Sequence, residues 1–190
     1  FCLGAEEDTR EEWARLAHHT MSCLMCGGGV GIDYSIFRPS GSYLNRTGGV
    51  ASGAIPLMKV MNEIGRNVIQ GGSRRSAMYA SLNWDHGDIS DFIYAKNWSD
   101  EVKALKAKDF NFPADLDMTN ISVNYDDTFL RALKAYDYKA YNVWTSNINQ
   151  MLNTAEPGMS FNFGENSKDT LRNACTEFTS EDDSDVRNLG

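Results

Sequence analysis

Apolar residues along the chain follow two different periods. A spacing of three to four residues, the mark of an amphipathic helix, runs through Trp13, Leu16, Ala17 and Leu24. It returns through Ile55, Met58, Met61, Ile64 and Val68. These stretches predict helices over residues 9–25 and 54–70. Asp8-Thr9-Arg10-Glu11 has the form of a capping box at the start of the first. Glycines 27 to 29 stop that helix, and Gly71-Gly72-Ser73 breaks the second. Shorter apolar runs predict strands over 30–34, 77–83, 118–125 and 159–163, with a last strand over 171–178. A short helix is predicted over 88–96. Asp126 can cap another that reaches about Ala135. A further helix is predicted over 141–154, ended by Pro157-Gly158. The stretch 38–53 is rich in Gly, Ser and Thr and reads as a loop. Residues 97–117 are charged and read as loop or weak helix. Alternating strands and helices predict an α/β fold with largely parallel strands.

Composition narrows the functional classes. The chain has 190 residues, enough for one domain or a segment of a larger one, and its abrupt ends suggest a segment. With 42% apolar and 23% charged residues it can build a core and is not a disordered chain. A net charge of −8 disfavours non-specific DNA or RNA binding, which needs a positive surplus, but leaves small anionic ligands open. No apolar run approaches the length of a membrane span. The first five residues carry no signal-peptide pattern, so a cytoplasmic location is expected. The four cysteines, 2, 23, 26 and 175, are then expected as thiols in a reducing compartment rather than a disulfide framework. Cys23 and Cys26 have C-x-x-C spacing, but no second pair of ligands lies at zinc-site spacing. They are read as two buried structural thiols.

Four stretches could carry chemistry. In Arg172-Asn173-Ala174-Cys175-Thr176-Glu177, a strand would put Asn173, Cys175 and Glu177 on one face. The amide can orient a hydroxyl, the carboxylate can take a proton, and the sulfur can do covalent or radical chemistry. A buried cysteine between unrelated polar neighbours is the alternative. Gly27-Gly28-Gly29-Val30-Gly31 would let a backbone approach a ligand closely, or simply end a helix. Its order, helix then strand, is the reverse of a dinucleotide fingerprint. Gln70-Gly71-Gly72-Ser73-Arg74-Arg75-Ser76 sets two arginines beside flexible glycines and could clasp phosphates, or be a solvated turn. The long polar loop Arg38-Pro39-Ser40-Gly41-Ser42 through Asn45-Arg46-Thr47-Gly48-Gly49 is of the kind that often carries function. His18 and His19 cannot share a helix face, and His86 reads as a turn residue. Neither a three-ligand metal cluster nor a Ser–His–Asp order stands out.

Taken in order, these motifs resemble the catalytic subunit of ribonucleotide reductase, and within it the adenosylcobalamin-dependent class II enzymes. The supporting stretches are Arg38 to Gly41, Arg46 to Gly53, Gln70 to Ala77, Asp117 to Val123, Gly158 with Gly164-Glu165-Asn166, and Leu171 to Glu177 through Val186. The resemblance implies part of a ten-stranded α/β barrel. Residues 1–165 would form a half-barrel with specificity loops, and 166–190 a finger loop. It implies that Cys175 carries a thiyl radical taking the ribose 3′ hydrogen. Glu177 would accept the 3′-hydroxyl proton, Asn173 would hydrogen-bond the substrate, and Cys2 would be one of two reducing thiols. Gly28 and Gly29 would let the backbone approach the substrate. Asp8, Arg38, Arg46, Gln70, Gly71, Gly72 and Arg74 would form the effector site. Implied ligands and partners are a ribonucleoside di- or triphosphate, a deoxynucleoside triphosphate effector, a thioredoxin-like thiol reductant and the rest of the reductase chain. No metal ligands are implied.

The sequence departs from that family in two ways. Arg187 stands where the family has its second reducing cysteine, and a guanidinium forms no disulfide. The later half-barrel and most of what would seat the cobalamin are absent, so the chain alone is expected to be inactive. A non-catalytic nucleotide-binding or assembly module is the rival reading. A thiol acyl-transfer enzyme would need a histidine base beside Cys175.

Overall fold

The computed structural model describes residues 1–45, 48–68 and 75–186. Five strands, β1 (Cys2–Leu3), β2 (Val30–Asp33), β3 (Met78–Asn83), β4 (Thr119–Asp126) and β5 (Gly158–Asn162), form one sheet. All four neighbouring pairs are parallel, and the strands lie in sequence order. An open dinucleotide-binding sheet reverses its order at a switch point. This one does not, and it has the order of a barrel segment.

The two faces of the sheet differ in chemistry. Side chains alternate along a strand, and the register aligns Cys2, Gly31, Tyr79 and Asn120 in one row. Asp33, Ser81, Ser122, Asn124, Ser160 and Asn162 share that face by the same alternation. The other face carries Leu3, Val30, Ile32, Met78, Ala80, Leu82, Ile121 and Val123, all buried. Helices α1 (Arg10–Met25), α2 (Ala54–Asn67), α3 (Ile89–Tyr94) and α5 (Asp127–Lys134) cover it, through Leu16, Leu24, Leu57, Met58, Met61, Phe92, Ile93 and Phe129. The apolar core therefore lies wholly on the helical side.

The helix ends follow from single residues. Thr9, not Asp8, caps α1: its Oγ1 accepts from Glu12 N at 3.2 Å, while Glu12 Oε2 accepts from Glu6 N at 3.1 Å. The cap is thus one residue later than the sequence suggests, and Glu12 reaches back to Glu6 rather than to the cap residue, whose own N–H bonds Glu7 O. At the other end Gly27 (φ 83°) takes the left-handed conformation. Gly27 N donates to Leu24 O and Gly28 N to Cys23 O, a Schellman stop. Asp126 caps α5 as predicted, accepting from Thr128 N and Phe129 N. Asp137 starts α6 (Tyr138–Thr154) three residues early, by accepting from Ala140 N at 2.9 Å. The charged stretch after α3 contains a helix, α4 (Asp100–Lys108), capped by Ser99. It buries no residue, and so carries no apolar stripe to announce it.

The predicted strand over 171–178 is overturned. Only Leu171–Arg172 (β6) and Thr179–Ser180 (β7) are extended, paired antiparallel around a six-residue turn. Thr176 at φ 68° breaks the alternation on which the one-face reading depended. The expectation of two buried thiols at 23 and 26 also fails in part. Cys23 is half-buried, but Cys26 is exposed at the helix cap.

Candidate active site

The hairpin β6–β7 lies against the polar face of the sheet, over β1 and β2. Gly31 permits this. A Cβ there would fall 1.8 Å from the Arg172 carbonyl oxygen, so only a bare backbone lets the hairpin sit down. Gly29 faces the Ala174 methyl and Gly28 the Phe1 ring, each closer than any Cβ would allow. Gly4 meets Leu171. Arg172 ties the hairpin to the far side of the sheet. Its Nη2 donates to Asn162 Oδ1 and to Phe161 O on β5.

The turn presents the candidate catalytic residues. Cys175 is exposed at its tip. Asn173 Nδ2 donates to Glu177 Oε1 at 2.7 Å, and Asn173 Oδ1 accepts from Phe178 N at 3.3 Å. Amide and carboxylate therefore flank the thiol as a hydrogen-bonded pair, across a turn rather than along a strand face. Thr176 N donates to Asn173 O at 3.0 Å and closes the turn.

Cys2 lies next to Gly31 in the register, fully buried. The segment after the hairpin returns along the outer edge of β1. Cys2 N donates to Asp185 O at 2.9 Å and Ser184 N to Cys2 O at 2.8 Å. Burial pushes the Cys2 thiol up from its ordinary value, and the Asp185 and Glu177 carboxylates add to the effect against the positive charges of the amino terminus and, less, Arg172. Cys2 and the Glu177 turn thus lie in one electrostatic neighbourhood.

Across the polar face, Tyr79 Oη and Ser160 Oγ are 2.7 Å apart, and Asn124 Nδ2 donates to Ser81 Oγ at 3.1 Å. Buried Tyr79, Ser81, Asn124, Ser160 and Asn162 make this wall dense in hydrogen-bonding groups. Each lies between apolar neighbours in its strand, so alternation assigns it to the face opposite the helices, but only the sheet register brings the five together.

The loop after β2 holds the second candidate site. Asp8 and Arg38, thirty residues apart, form an ion pair: Arg38 Nε donates to Asp8 Oδ2, Arg38 N donates to the same oxygen at 3.1 Å, and Arg38 Nη2 to Asp8 O at 3.2 Å. Beyond Arg38 the chain folds into a small hairpin, in which Gly41 N donates to Ala51 O and Leu44 N to Gly49 O. Arg46, Gln70, Gly71, Gly72, Arg74 and Arg187 lie outside the described residues. Gly65 and Ser76 flank the Gln70 stretch and are joined through Ser76 Oγ to Gly65 O at 2.6 Å. His86 lies in the turn after β3, as expected. It is buried, with Nε2 2.6 Å from Phe37 O and Nδ1 accepting from Asp88 N at 3.0 Å. Both ring nitrogens are engaged away from Cys175, so His86 gives the acyl-transfer reading no base. Among the described residues no group of His, Cys, Asp and Glu could hold a metal ion. No helix among them is long and apolar enough to cross a membrane.

A parallel sheet in barrel order, with a cysteine-tipped hairpin on its polar wall, defines a class, the α/β barrels that carry a loop against the inner face of the sheet. The comparisons with known proteins make it specific. The family model "Ribonucleotide reductase, barrel domain" matches residues 2–138. The chain belongs to the ribonucleotide reductase barrel family. It is 33% identical over 181 residues to the vitamin B12-dependent ribonucleoside-diphosphate reductase of Thermoplasma acidophilum, covering 87% of this chain and 22% of the relative. The ribonucleoside-diphosphate reductase subunit alpha of Chlamydia trachomatis is 28% identical over 86% of this chain and 20% of its own length. The chain thus spans about a fifth of these relatives. The Actinobacillus ureae class Id ribonucleotide reductase alpha subunit has the same fold over 84% of this chain and 26% of its own, with a TM-score of 0.64 at 16% identity.

Proposed function

We propose that this chain is the half-barrel and finger loop of a ribonucleotide reductase, dividing near residue 165. In this reading it supplies the thiol, the proton acceptor and the substrate amide for reducing a ribonucleoside di- or triphosphate. The observation that carries the reading is the turn itself, with exposed Cys175 beside the Asn173–Glu177 pair on a glycine-lined sheet. The Cys175 thiyl takes the ribose 3′ hydrogen and Glu177 takes the 3′-hydroxyl proton. The 2′-hydroxyl then leaves as water with a proton from the Cys2 thiol. Cys2 and a second thiol supply two electrons and two protons in all and end as a disulfide. Glu177 returns its proton, and Cys175 returns its hydrogen atom to C3′ and is a thiyl again. A thioredoxin-like dithiol reduces the disulfide. Adenosylcobalamin, in keeping with the vitamin B12 dependence in the names of some relatives, would supply the radical equivalent. The requirement this chain itself can meet is an accessible sulfur, and Cys175 meets it. Asp8, Arg38 and the loop behind them are assigned to a deoxynucleoside triphosphate effector. Arg46, Gln70, Gly71, Gly72 and Arg74 join that site by resemblance, and Gly28 and Gly29 the substrate site.

The test uses the full reductase polypeptide with adenosylcobalamin and a dithiol. Cys175→Ala is expected to lower deoxynucleotide formation to background while leaving effector binding intact. Turnover at the unsubstituted rate would rule out the radical role.

A further inference from the structure

The strongest feature that the reading leaves unused is the turn between β3 and α3. His86-Gly87-Asp88 touches the nucleotide loop at both of its ends. The Asp88 carboxylate is buried and accepts two backbone bonds. Oδ1 takes Ser40 N at 2.9 Å, on the arm that leaves Arg38, and Oδ2 takes Ala54 N at 3.0 Å, on the arm that returns into α2. His86 bonds Phe37 O, one residue before Arg38. Gly87 lies under Pro39, where a Cβ would come 2.5 Å from the Pro39 Cβ. Gly53 fits against Asp88 in the same way, its Cβ position 2.5 Å from Oδ2.

One carboxylate closing both arms of a loop sets the separation of those arms. Each of its oxygens serves one N–H, so an isosteric amide can satisfy only one and must turn its own N–H toward the other. The His86 ring has a similar division of labour. As Nδ1 accepts from Asp88 N, Nε2 carries the proton given to Phe37 O.

We infer that His86, Gly87 and Asp88 are positioning residues that hold the Arg38 loop in its effector-binding shape, and so govern effector affinity and the choice of base without touching nucleotide. This rests on the assignment of that loop to a deoxynucleotide. The residues lie on the turn between β3 and α3, and their side-chain bonds run to Phe37, Ser40 and Ala54 on the Arg38 loop.

The experiment measures dTTP and dGTP binding to the full reductase by calorimetry, and the ratio of reduced substrates with each effector. Asp88→Asn is expected to weaken both effectors about tenfold or more, the cost of one buried N–H left facing a donor. It is also expected to flatten the effector-dependent substrate ratio, with effector-free turnover within about twofold of the parent. Gly87→Ala reaches the same loop by pushing Pro39 and leaves every hydrogen bond donor and acceptor in place. It is expected to reproduce the phenotype, and it decides the matter if Asp88→Asn does not fold. His86→Asn keeps an acceptor for Asp88 N but loses the reach to Phe37 O, so an intermediate loss is expected. Parent-like affinity and substrate ratio in folded Asp88→Asn and Gly87→Ala would overturn the inference. An unsubstituted enzyme that binds neither nucleotide would instead overturn the effector assignment beneath it.

Discussion

Asn173 fixes one oxygen of Glu177 at 2.7 Å, and with it the direction from which the carboxylate can take a proton. Glu177→Gln should therefore fold normally and lower kcat by about 10²–10⁴, the usual worth of a positioned general base. A loss below threefold in steady-state assays would remove Glu177 from that role. Cys2 makes a different prediction. Its buried thiol stays protonated above the ordinary value of 9.0, where an unfolded chain has already released the proton. The unfolded state then binds fewer protons, so stability falls as pH rises through about 9. Urea midpoints between pH 8 and 10 should show a smaller decline in Cys2→Ala; an equal decline would assign the slope to the buried tyrosines. Arg187 bears on turnover. Arg187→Cys should raise multiple-turnover activity with a dithiol, and unchanged activity would mean that another thiol serves.

Single interactions also decide where whole elements sit. Asp117 gathers α2, α4 and the start of β4: Arg66 Nη1 donates to it at 3.0 Å, Asn62 Nδ2 at 3.2 Å, and Lys106 Nζ as well. Burial alone would raise its carboxyl, but these three donors hold it below the ordinary value. The sign follows: its contribution is full above the unfolded carboxylate range and is lost as pH falls through the lower folded value. Asp117→Asn should cost about 3–5 kcal/mol, because two partly buried cations lose their shared partner. Denaturant unfolding at pH 7 measures this, and a cost under 1 kcal/mol would show the network to be incidental. The same elements show what sequence could reveal. Helix α2 and strand β4 were legible because each has an apolar face to bury. Helix α4 was not, because its contacts are made by Lys106 and by its cap. Thr176 and Asp137 act through backbone conformation and a capping bond, which apolar periodicity does not record. Asp8 fits both a helix cap and, with Arg38, the effector site, since a cap and an ion-pair acceptor need the same residue type; the fold pairs it with Arg38.

For the molecule as a whole, the separation of an apolar helical side from a hydrogen-bonding wall sorts substitutions into two kinds. Changes such as Leu57→Ala or Met61→Ala should cost about 2–5 kcal/mol, as core truncations do. Changes on the wall should fall mainly on substrate handling. Gly31→Ala crosses that division. Its methyl would displace the Arg172 carbonyl. We expect a loss of about 1–3 kcal/mol from overpacking, together with loss of reduction. Retained activity in Gly31→Ala would show that the hairpin need not touch β2. The alternation of strands and helices and their parallel sheet were readable at this scale. The hydrogen-bonding wall was not, because it exists only once four distant strands are placed side by side.

Strand β2 has a consequence of its own. It is four residues long, carries the sulfur-bearing hairpin on Gly31, and runs directly into the segment that ends at Arg38. The span between the Cys175 hairpin and the Arg38 loop is thus measured by one short rod of backbone, with no flexible joint along its extended part. Lengthening or shortening that rod by a single residue would turn Gly31 to the opposite side, unseating the sulfur and shifting the loop in one stroke.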